Sequence, residues 1–151
     1  MNASDPFNLV RFVRAQQPTY DRALAELRAG RKRTHWMWYI FPQLAGLGRS
    51  EMAQRYAISG LPEAKAYLRH DVLGPRLLTC AAVVRDTAGR SAQEIFGTPD
   101  DFKLRSCATL FAQVSPDPVF AQLLQQYFDG QGDPETLRRV PPARANSGVV
   151  P

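Results

Sequence analysis

Apolar residues recur along this chain at the spacing of amphipathic helices. Tyr20, Leu24 and Leu27 lie four and three positions apart, which places them on one face of a helix. Asp-Pro or Thr-Pro pairs begin four segments, at positions 5, 98, 117 and 133. Such pairs are typical of helix starts, because the first residue caps free N–H groups and proline fits the first turn. No hairpin-linked alternating segments are present. The pattern predicts an all-α fold, a compact single-domain bundle of about seven to nine short helices.

The same signals place the individual helices. Residues 35–41 form a segment too short and too apolar for hydrophobic periodicity to distinguish a helix from a strand. We favour a buried helix that Pro42 limits, with a strand as the alternative. Gly30 and Gly97 are expected to end helices. Four further helices are predicted to begin at Asp5-Pro6, Pro18-Thr19, Asp117-Pro118 and Asp133-Pro134. Four others are predicted over residues 51–58, 62–68, 76–85 and 100–114. A short helix is expected after the capping box of Ser91 and Glu94.

Length and composition indicate one domain. The 151 residues are 44% hydrophobic and 22% charged, which is ordinary for a globular protein with its own core. Residues 1–140 are predicted to form the helical domain, and residues 141–151, which lack periodicity, a mobile tail. No window approaches the ~20 apolar residues of a membrane span, and the first residues do not resemble a signal peptide. We therefore expect a cytoplasmic location and no membrane partner.

The positive charge is concentrated near the beginning of the chain. Residues 1–58 contain nine Lys/Arg and four Asp/Glu, residues 59–118 seven of each, and residues 119–151 three of each. The formal net charge of +5 therefore comes from the first segment. A local excess of cations favours an anionic partner such as a phosphate, a nucleotide, nucleic acid or an acidic protein. The alternative is a solvated turn, since cations are also favourable at the end of a helix.

Residues 31–43 combine the cationic run with a histidine and both tryptophans. One or two of the three cations at 31–33 are expected to turn inward and hold an anion, and Arg33 is a candidate because a guanidinium grips two phosphate oxygens at once. His35 is a candidate catalytic residue, because an imidazole transfers protons near neutral pH. The alternatives are a charged turn after a helix and a structural histidine beside the core.

Aromatic side chains of this segment are candidate walls for a planar ligand, since such rings stack on nucleobases. On a helix, residues 36, 37, 40 and 41 share one face, which would enter the core, and His35 shares the other with residues 38 and 39. The alternative is that most of these rings are core. The candidate wall residues are Trp36, Trp38 and Tyr39.

A glycine-containing loop leads into the helix predicted after Ser50. Free N–H groups and the helix dipole favour an anion at such a position, so Gly48, Arg49 and Ser50 are candidate ligand-binding residues. The motif is weak, because it lacks the Lys-Ser/Thr pair of a P-loop and the strand of a dinucleotide-binding unit. The alternative is a turn closed by a serine cap.

Residues 100–105 form the second polar cluster. Asp101 and Lys103 are candidate catalytic residues and Arg105 a candidate phosphate ligand, provided that they face the aromatic segment in the fold. The alternative is an ordinary helix start, in which Asp100 pairs with Lys103 and Asp101 with Arg105 across one turn.

Motifs for several other chemistries are missing. The sequence contains no HExxH, CxxC, GxSxG or EF-hand pattern, so no metal site and no cofactor is predicted. Cys80 and Cys107 stand apart among apolar or small neighbours, which predicts two reduced and buried thiols. A reactive Cys107 near Lys103 and Arg105 is the alternative.

Several segments, in their order and spacing, resemble a known family. They include His35-Trp36-Met37-Trp38-Tyr39-Ile40-Phe41-Pro42-Gln43, Gly46-Leu47-Gly48-Arg49-Ser50, Leu73-Gly74-Pro75-Arg76-Leu77 and Asp101-Phe102-Lys103-Leu104-Arg105-Ser106. Over roughly residues 6–140 the chain is similar to a small bacterial family of unknown function that is sometimes labelled calpastatin-like. The resemblance implies an all-α single-domain fold and no established activity, and the label is not read as protease inhibition. The family pattern has proline where this chain has Asp71, and small or Met residues where it has Cys107 and Ala108. This difference from the family argues against Cys107 as a required nucleophile.

Two functions from different classes follow from these features. The first is a pocket for a phosphorylated small molecule or nucleotide, with an enzymatic role left open, in which the anion meets Arg33, Arg49, Lys103 and Arg105. The second is a non-catalytic module that binds an acidic protein or nucleic acid through the basic N-terminal third. It ranks second because +5 is a modest charge and the cations do not line one helix. Convergence of His35, Asp101 and Lys103 on one cavity would favour the first. The oligomeric state is left open.

Overall fold

The computed structural model describes residues 5–140, and ten helices make up the secondary structure of that part. No strand forms there, and Leu44 and Ile58 make one isolated parallel bridge. The buried side chains form one hydrophobic core, so the all-α prediction is confirmed. No helix in this range is both long and apolar enough to cross a membrane. The predicted tail, residues 141–151, lies outside the described residues, as do residues 1–4.

The helices are α1 (Val10–Gln16), α2 (Tyr20–Arg28), α3 (Met37–Ile40), α4 (Glu51–Arg55), α5 (Leu61–Arg69), α6 (Leu73–Asp86), α7 (Ala92–Phe96), α8 (Asp100–Ala112), α9 (Val119–Phe128) and α10 (Pro134–Arg139).

Helices α6 and α8 lie at the centre of the bundle. α6 contacts α2, α5 and α9, whereas α8 contacts α5, α7, α9 and α10. The core-facing side of α8 carries Leu104, Cys107, Ala108 and Phe111, each at most 1% exposed, which is the spacing of a buried helical stripe. Cys107 and Cys80 on α6 are free and buried, as predicted.

Helices α5 and α6 approach each other closely at Gly74. α6 begins at Leu73, a few residues before the predicted start at Arg76. A Cβ atom at Gly74 would collide with the carbonyl oxygen of Leu68. Glycine is therefore needed here because it has no side chain.

Aromatic rings connect the N-terminal helices with the central ones. Neighbouring rings have centroid distances between 5.1 and 5.7 Å, which is the range of favourable tilted and edge-to-face pairs. The run ties α1, α3, α5, α8 and α9 into one core. In order, the rings belong to Tyr39, Tyr56, Phe12, Tyr67, Phe111 and Phe120.

The first helix begins later than its cap signal predicts. The Asp5 carboxylate accepts hydrogen bonds from the backbone N–H of Leu9 (2.7 Å) and of Val10 (3.1 Å), so α1 begins at Val10. Asn8, with a φ of 55°, makes the intervening turn. Asp5 therefore binds N–H groups at the helix start as predicted, but the N-cap position is Leu9, and the sequence pattern did not indicate the turn between Asp5 and the helix.

Helix α4 is shorter than predicted and ends at Arg55. The N–H of Ile58 donates to the carbonyl of Gln43 (2.9 Å), and the N–H of Ala45 donates to the carbonyl of Ile58 (2.8 Å). The backbone after α4 therefore pairs with the loop after α3 instead of continuing the helix. This pairing fixes the start of the loop that lines the cleft described below.

Candidate functional site

The carboxylate of Glu26 organises the turn that follows α2. It accepts hydrogen bonds from the N–H of Arg33 (2.8 Å) and of Thr34 (3.1 Å), from the Thr34 hydroxyl (2.7 Å) and from Nε1 of Trp36 (2.9 Å). Burial raises the pKa of Glu26, but these hydrogen bonds outweigh burial and lower the pKa to about 2. An ionised carboxylate of the chain itself thus holds the turn.

Sequence reasoning missed Glu26, although a signal was present. Ala23, Glu26 and Leu27 are spaced as one helical face, and all three are buried. A carboxylate on a core-facing side needs several hydrogen-bond donors to offset its lost hydration. The turn after α2 supplies those donors.

Lys32 is the cation of the basic turn that points inward. Its side chain is 7% exposed, and its ammonium lies 2.9 Å from the carboxylate of Asp100. The same ammonium lies 5.1 Å from the ring centroid of Trp36, and the backbone N–H of Lys32 donates to the carbonyl of Ile95 (2.7 Å). The expected inward cation is present, and the anion that it holds is a carboxylate of this chain at the start of α8.

The start of α8 also contacts the aromatic segment. Asp100 lies 3.4 Å from the ammonium of Lys103, the pair expected of an ordinary helix start. That ammonium lies 5.5 Å from the ring centroid of Trp38, which is half-buried. The fold therefore brings the two predicted polar clusters together through Lys32, Asp100 and Lys103.

Trp36 and Tyr39 belong to the core rather than to a pocket wall. Trp36 is 1% exposed and its Nε1 is bonded to Glu26, while Tyr39 is buried against Tyr56 at a centroid distance of 5.3 Å. These placements correct the prediction that both rings line a pocket. Residues 36, 37, 40 and 41 are all buried, as their helical spacing predicts, and the strand alternative for this segment is wrong because α3 forms one helical turn.

Three of the predicted site residues line one cleft. Gly48, Arg49 and Lys103 border a cavity of about 520 Å³ between the loop after α3, α8 and α10. This volume is within the range of small-molecule sites. The other lining residues, which sequence reasoning did not assign to a site, are Gln43, Gly46, Leu47, Pro99, Phe102, Ser106, Asp133, Glu135 and Arg139.

Arg139 covers the loop at one end of the cleft. Gly46 has a φ of +94°, and a Cβ atom there would lie 2.6 Å from Nη1 of Arg139. The positive φ favours glycine, and the short distance shows how closely the Arg139 guanidinium lies over the loop. Nε of Arg139 donates to Glu135 (3.1 Å), so the guanidinium is held by an ion pair within α10.

Ser50 stabilises the loop instead of facing the cleft. Its hydroxyl accepts the N–H of Ala53 (3.0 Å) and caps α4, and Nε2 of Gln54 donates to the carbonyl of Arg49 (2.7 Å). The backbone of Arg49 is thereby fixed. Its side chain is exposed and makes no ion pair within residues 5–140.

Phe102 points outward from α8. It is 56% exposed, the one exposed large hydrophobic side chain in the described part of the chain. It lines the cleft together with Lys103. The buried stripe of α8 therefore begins at Leu104, and Phe102 lies on the solvent-facing side of the helix.

Asp101 and Arg105 lie outside the cleft. The Asp101 carboxylate is buried and accepts the N–H of Phe102 (2.9 Å). Nε of Arg105 donates to the carbonyl of Gln131 (3.0 Å), and its guanidinium lies 5.8 Å from the ring centroid of Phe128. Both residues are two positions from Lys103, which is ~200° around a helix. The three side chains therefore cannot share one face.

His35 and Arg33 also lie outside the cleft. Side chains alternate between inside and outside over residues 31–36: the even positions are half-buried or buried and the odd ones exposed. This is the period of an extended segment, not of a helix. With Lys32 and Trp36 facing inward, Arg33 and His35 face solvent, so His35, Asp101 and Lys103 do not converge.

The cleft combines charged side chains with an aromatic one. Its lining includes three cations, two carboxylates and one exposed aromatic ring. Residues 5–140 contain no group of three or more His, Cys, Asp and Glu side chains arranged to hold a metal ion. The arrangement suits a ligand that combines negative charge with a flat apolar part.

Comparison with known proteins relates this fold to one that has been solved by crystallography. The conserved hypothetical protein Rv1873 from Mycobacterium tuberculosis is 55% identical and has a TM-score of 0.89, over 90% of this chain and 98% of that chain. No curated protein matches the chain. Residues 6–140 match a family model described as protein of unknown function (DUF1810), and neither description carries a calpastatin label. The chain therefore belongs to the DUF1810 family.

Proposed function

We propose that this protein binds an anionic small molecule of the phosphorylated or nucleotide type in the cleft between residues 43–49, α8 and α10. The observation that carries the proposal is the position of Phe102. Its ring is 56% exposed and borders the same cavity as Arg49 and Lys103. An exposed ring beside cations offers one ligand both a stacking surface and charge.

Arg49 is the residue expected to meet the phosphate. Arg139 is held by Glu135 and Lys103 by Asp100, whereas Arg49 has no carboxylate partner within residues 5–140. A guanidinium without an internal partner can bind two phosphate oxygens without first breaking an ion pair. Lys103, oriented between Asp100 and Trp38, adds a second positive charge.

The carboxylates on the α10 side indicate how the ligand would be oriented. Asp133 accepts the N–H of Thr136 (2.8 Å) and its hydroxyl (2.7 Å), as the cap of α10. Glu135 pairs with Arg138 and Arg139. A phosphate is therefore expected near Arg49, and neutral hydroxyl or amino groups of the ligand near α10.

The three residues predicted to act as acids or bases do not all lie at the cleft. Of His35, Asp101 and Lys103, Lys103 is the one that lines the cleft. We assign Lys103 to anion binding and propose no acid–base role for His35 or Asp101 at this site.

Isothermal titration calorimetry with ATP, AMP, a sugar phosphate and inorganic phosphate tests the proposal. We expect a nucleotide to bind, and Arg49→Ala to weaken its binding at least about tenfold, which corresponds to ~1.4 kcal/mol. Phe102→Ala is expected to weaken nucleotide binding but not phosphate binding, because only the nucleotide has a ring to stack.

Arg14→Ala is the matched control, since Arg14 is an exposed arginine of α1 that does not line the cleft. It is expected to leave the affinity unchanged. The proposal is wrong if none of the probes binds at millimolar concentration, or if Arg49→Ala and Phe102→Ala bind a nucleotide as the wild type does.

The alternative function, an interaction module that uses the basic N-terminal third, is less favoured. Arg11, Lys32 and Arg55 are three of the nine cations in residues 1–58, and they pair with carboxylates of the chain. Fewer cations are then available to a partner. Binding of single- or double-stranded nucleic acid that weakens steeply with salt would favour this alternative.

A further inference from the structure

Two cations stand on the exposed side of α5, between two apolar depressions. Lys65 and Arg69 line a cavity of about 840 Å³ on the α1 side and a second one of about 490 Å³ on the side of α6 and the loop after α8. We call this pair the α5 ridge. Since both cavities share these residues, they form one surface that runs across the helix.

The walls of both depressions are largely apolar. The first is lined by Phe7, Val10 and Val13, and each of these is only partly buried. The second is lined by Leu78 and Val114, which are also partly buried. Apolar side chains are thus left in contact with solvent on both sides of the α5 ridge.

The α5 ridge presents two positive charges to solvent. Lys65 and Arg69 are exposed and make no ion pair within residues 5–140. Each depression also carries one carboxylate, Asp5 in the first and Asp117 in the second. These carboxylates accept backbone N–H groups, those of Leu9 and Val10 for Asp5 and that of Val119 (2.9 Å) for Asp117, and neither pairs with Lys65 or Arg69. His70 uses Nδ1 to accept the N–H of Val72 (3.1 Å). The positive α5 ridge therefore lies between two largely apolar depressions, which we call the troughs.

We propose that this surface docks a segment of a partner protein that carries carboxylates between two large apolar side chains. The carboxylates would meet Lys65 and Arg69, and an apolar side chain would enter each trough. The two cations are one helical turn apart, ~6 Å along the axis, so they match two carboxylates better than the single head of an amphiphile. This surface is separate from the cleft at Arg49.

Other occupants fit the charges and apolar walls less well. Residues 141–151 of this chain contain Arg144 and no Asp or Glu, so their side chains offer no carboxylate to the ridge. Nucleic acid would match the cations but not the apolar troughs, which would stay exposed. The surface therefore fits an acidic, amphipathic segment of a partner protein better than these other occupants.

Binding to three matched libraries of short synthetic peptides tests this proposal. The first has Asp or Glu at the centre and Leu or Phe on both sides, the second replaces the acidic residues by Lys, and the third replaces the apolar residues by Ser. We expect the wild type to retain the first library at least about tenfold better than either other one. The Lys65→Glu/Arg69→Glu variant is expected to lose that preference and retain the lysine library instead.

The Arg14→Glu/Arg22→Glu variant is the charge-matched control, because these arginines are also exposed and line neither trough. It is expected to keep the wild-type preference, and circular dichroism melting checks that each variant folds. The proposal fails if the wild type does not distinguish the libraries, or if the variant at Lys65 and Arg69 keeps the wild-type preference. It also fails if light scattering shows a wild-type dimer that this variant converts to a monomer, because the occupant is then a second copy.

Discussion

Nε1 of Trp36 donates a 2.9 Å hydrogen bond to Oε1 of Glu26, and both residues are buried. This bond joins the end of α2 to the start of α3 across the basic turn. Because the same carboxylate binds the backbone of that turn, the turn is shaped by an internal anion. The conspicuous cationic and aromatic segment of the sequence is therefore mainly a structural element.

Replacing Glu26 by Gln should destabilise the protein. Glutamine offers one acceptor oxygen and places an NH₂ group against donors that the carboxylate now satisfies. We expect a loss of about 2–3 kcal/mol in the free energy of unfolding, measured by urea denaturation. Glu51→Gln, at a side chain that is 86% exposed, is the control and should change stability by less than about 0.5 kcal/mol. Equal effects of the two substitutions would contradict this role.

The contribution of Glu26 should depend on pH. Its folded-state pKa of about 2 is below the ordinary value of 4.5, so the folded protein binds this proton less readily than the unfolded chain. The stabilisation is present above pH 4.5 and is lost as the pH falls towards 2. After allowance for solvent screening, we expect about 2 kcal/mol. The difference in unfolding free energy between wild type and Glu26→Gln should shrink over this interval, and a difference that stays constant would be inconsistent with the assignment.

The ion pair of Lys32 and Asp100 should show a measurable coupling energy. Their side chains are 7% and 19% exposed, so solvent screens their attraction less than that of a surface pair. A double-mutant cycle with Lys32→Met and Asp100→Asn is expected to give about 1–2 kcal/mol. The exposed pair of Arg55 and Glu51 is the reference, with an expected coupling below about 0.5 kcal/mol. A coupling of Lys32 and Asp100 no larger than this reference would show that the pair does not join the turn to α8.

Both cysteines should be unreactive in the folded protein. Burial raises the pKa of Cys80 to about 12, against a smaller lowering by the hydroxyl of Tyr20, and burial raises the pKa of Cys107 well above its ordinary value. Neither thiol is then a nucleophile at neutral pH. A thiol-specific chromogenic disulfide should react slowly with the native protein and rapidly with both thiols in denaturant. Fast labelling of Cys107 in the native state would revive the reactive alternative.

Much of the local structure could be predicted from the sequence because its causes are local. Ser50, Ser91 and Asp133 cap helices where expected, since a cap needs only an acceptor and an N–H a few residues later. The pairing of Asp100 with Lys103 has the same origin, because helical spacing brings such side chains together.

The candidate site was predictable in part. Three candidate residues, Gly48, Arg49 and Lys103, line one cleft, whereas the convergence of His35, Asp101 and Lys103 that the first hypothesis needed does not occur. The contribution of Arg139 was not foreseen, because it depends on how α10 packs against α8. Helical periodicity specifies neighbours on one helix, but it does not specify which helix lies opposite.

The all-helical class, the helix caps, the buried thiols and the position of the basic charge all follow from the order of the amino acids. Tertiary structure alone decided which way these charges face. Lys32 faces inward because its ammonium pairs with Asp100 and lies over the ring of Trp36, and Phe102 faces outward into the cleft that Arg49 also lines. The reason is that a cap or a helical stripe depends on residues a few positions apart, whereas an ion pair or a cleft depends on the packing of helices that are distant in sequence.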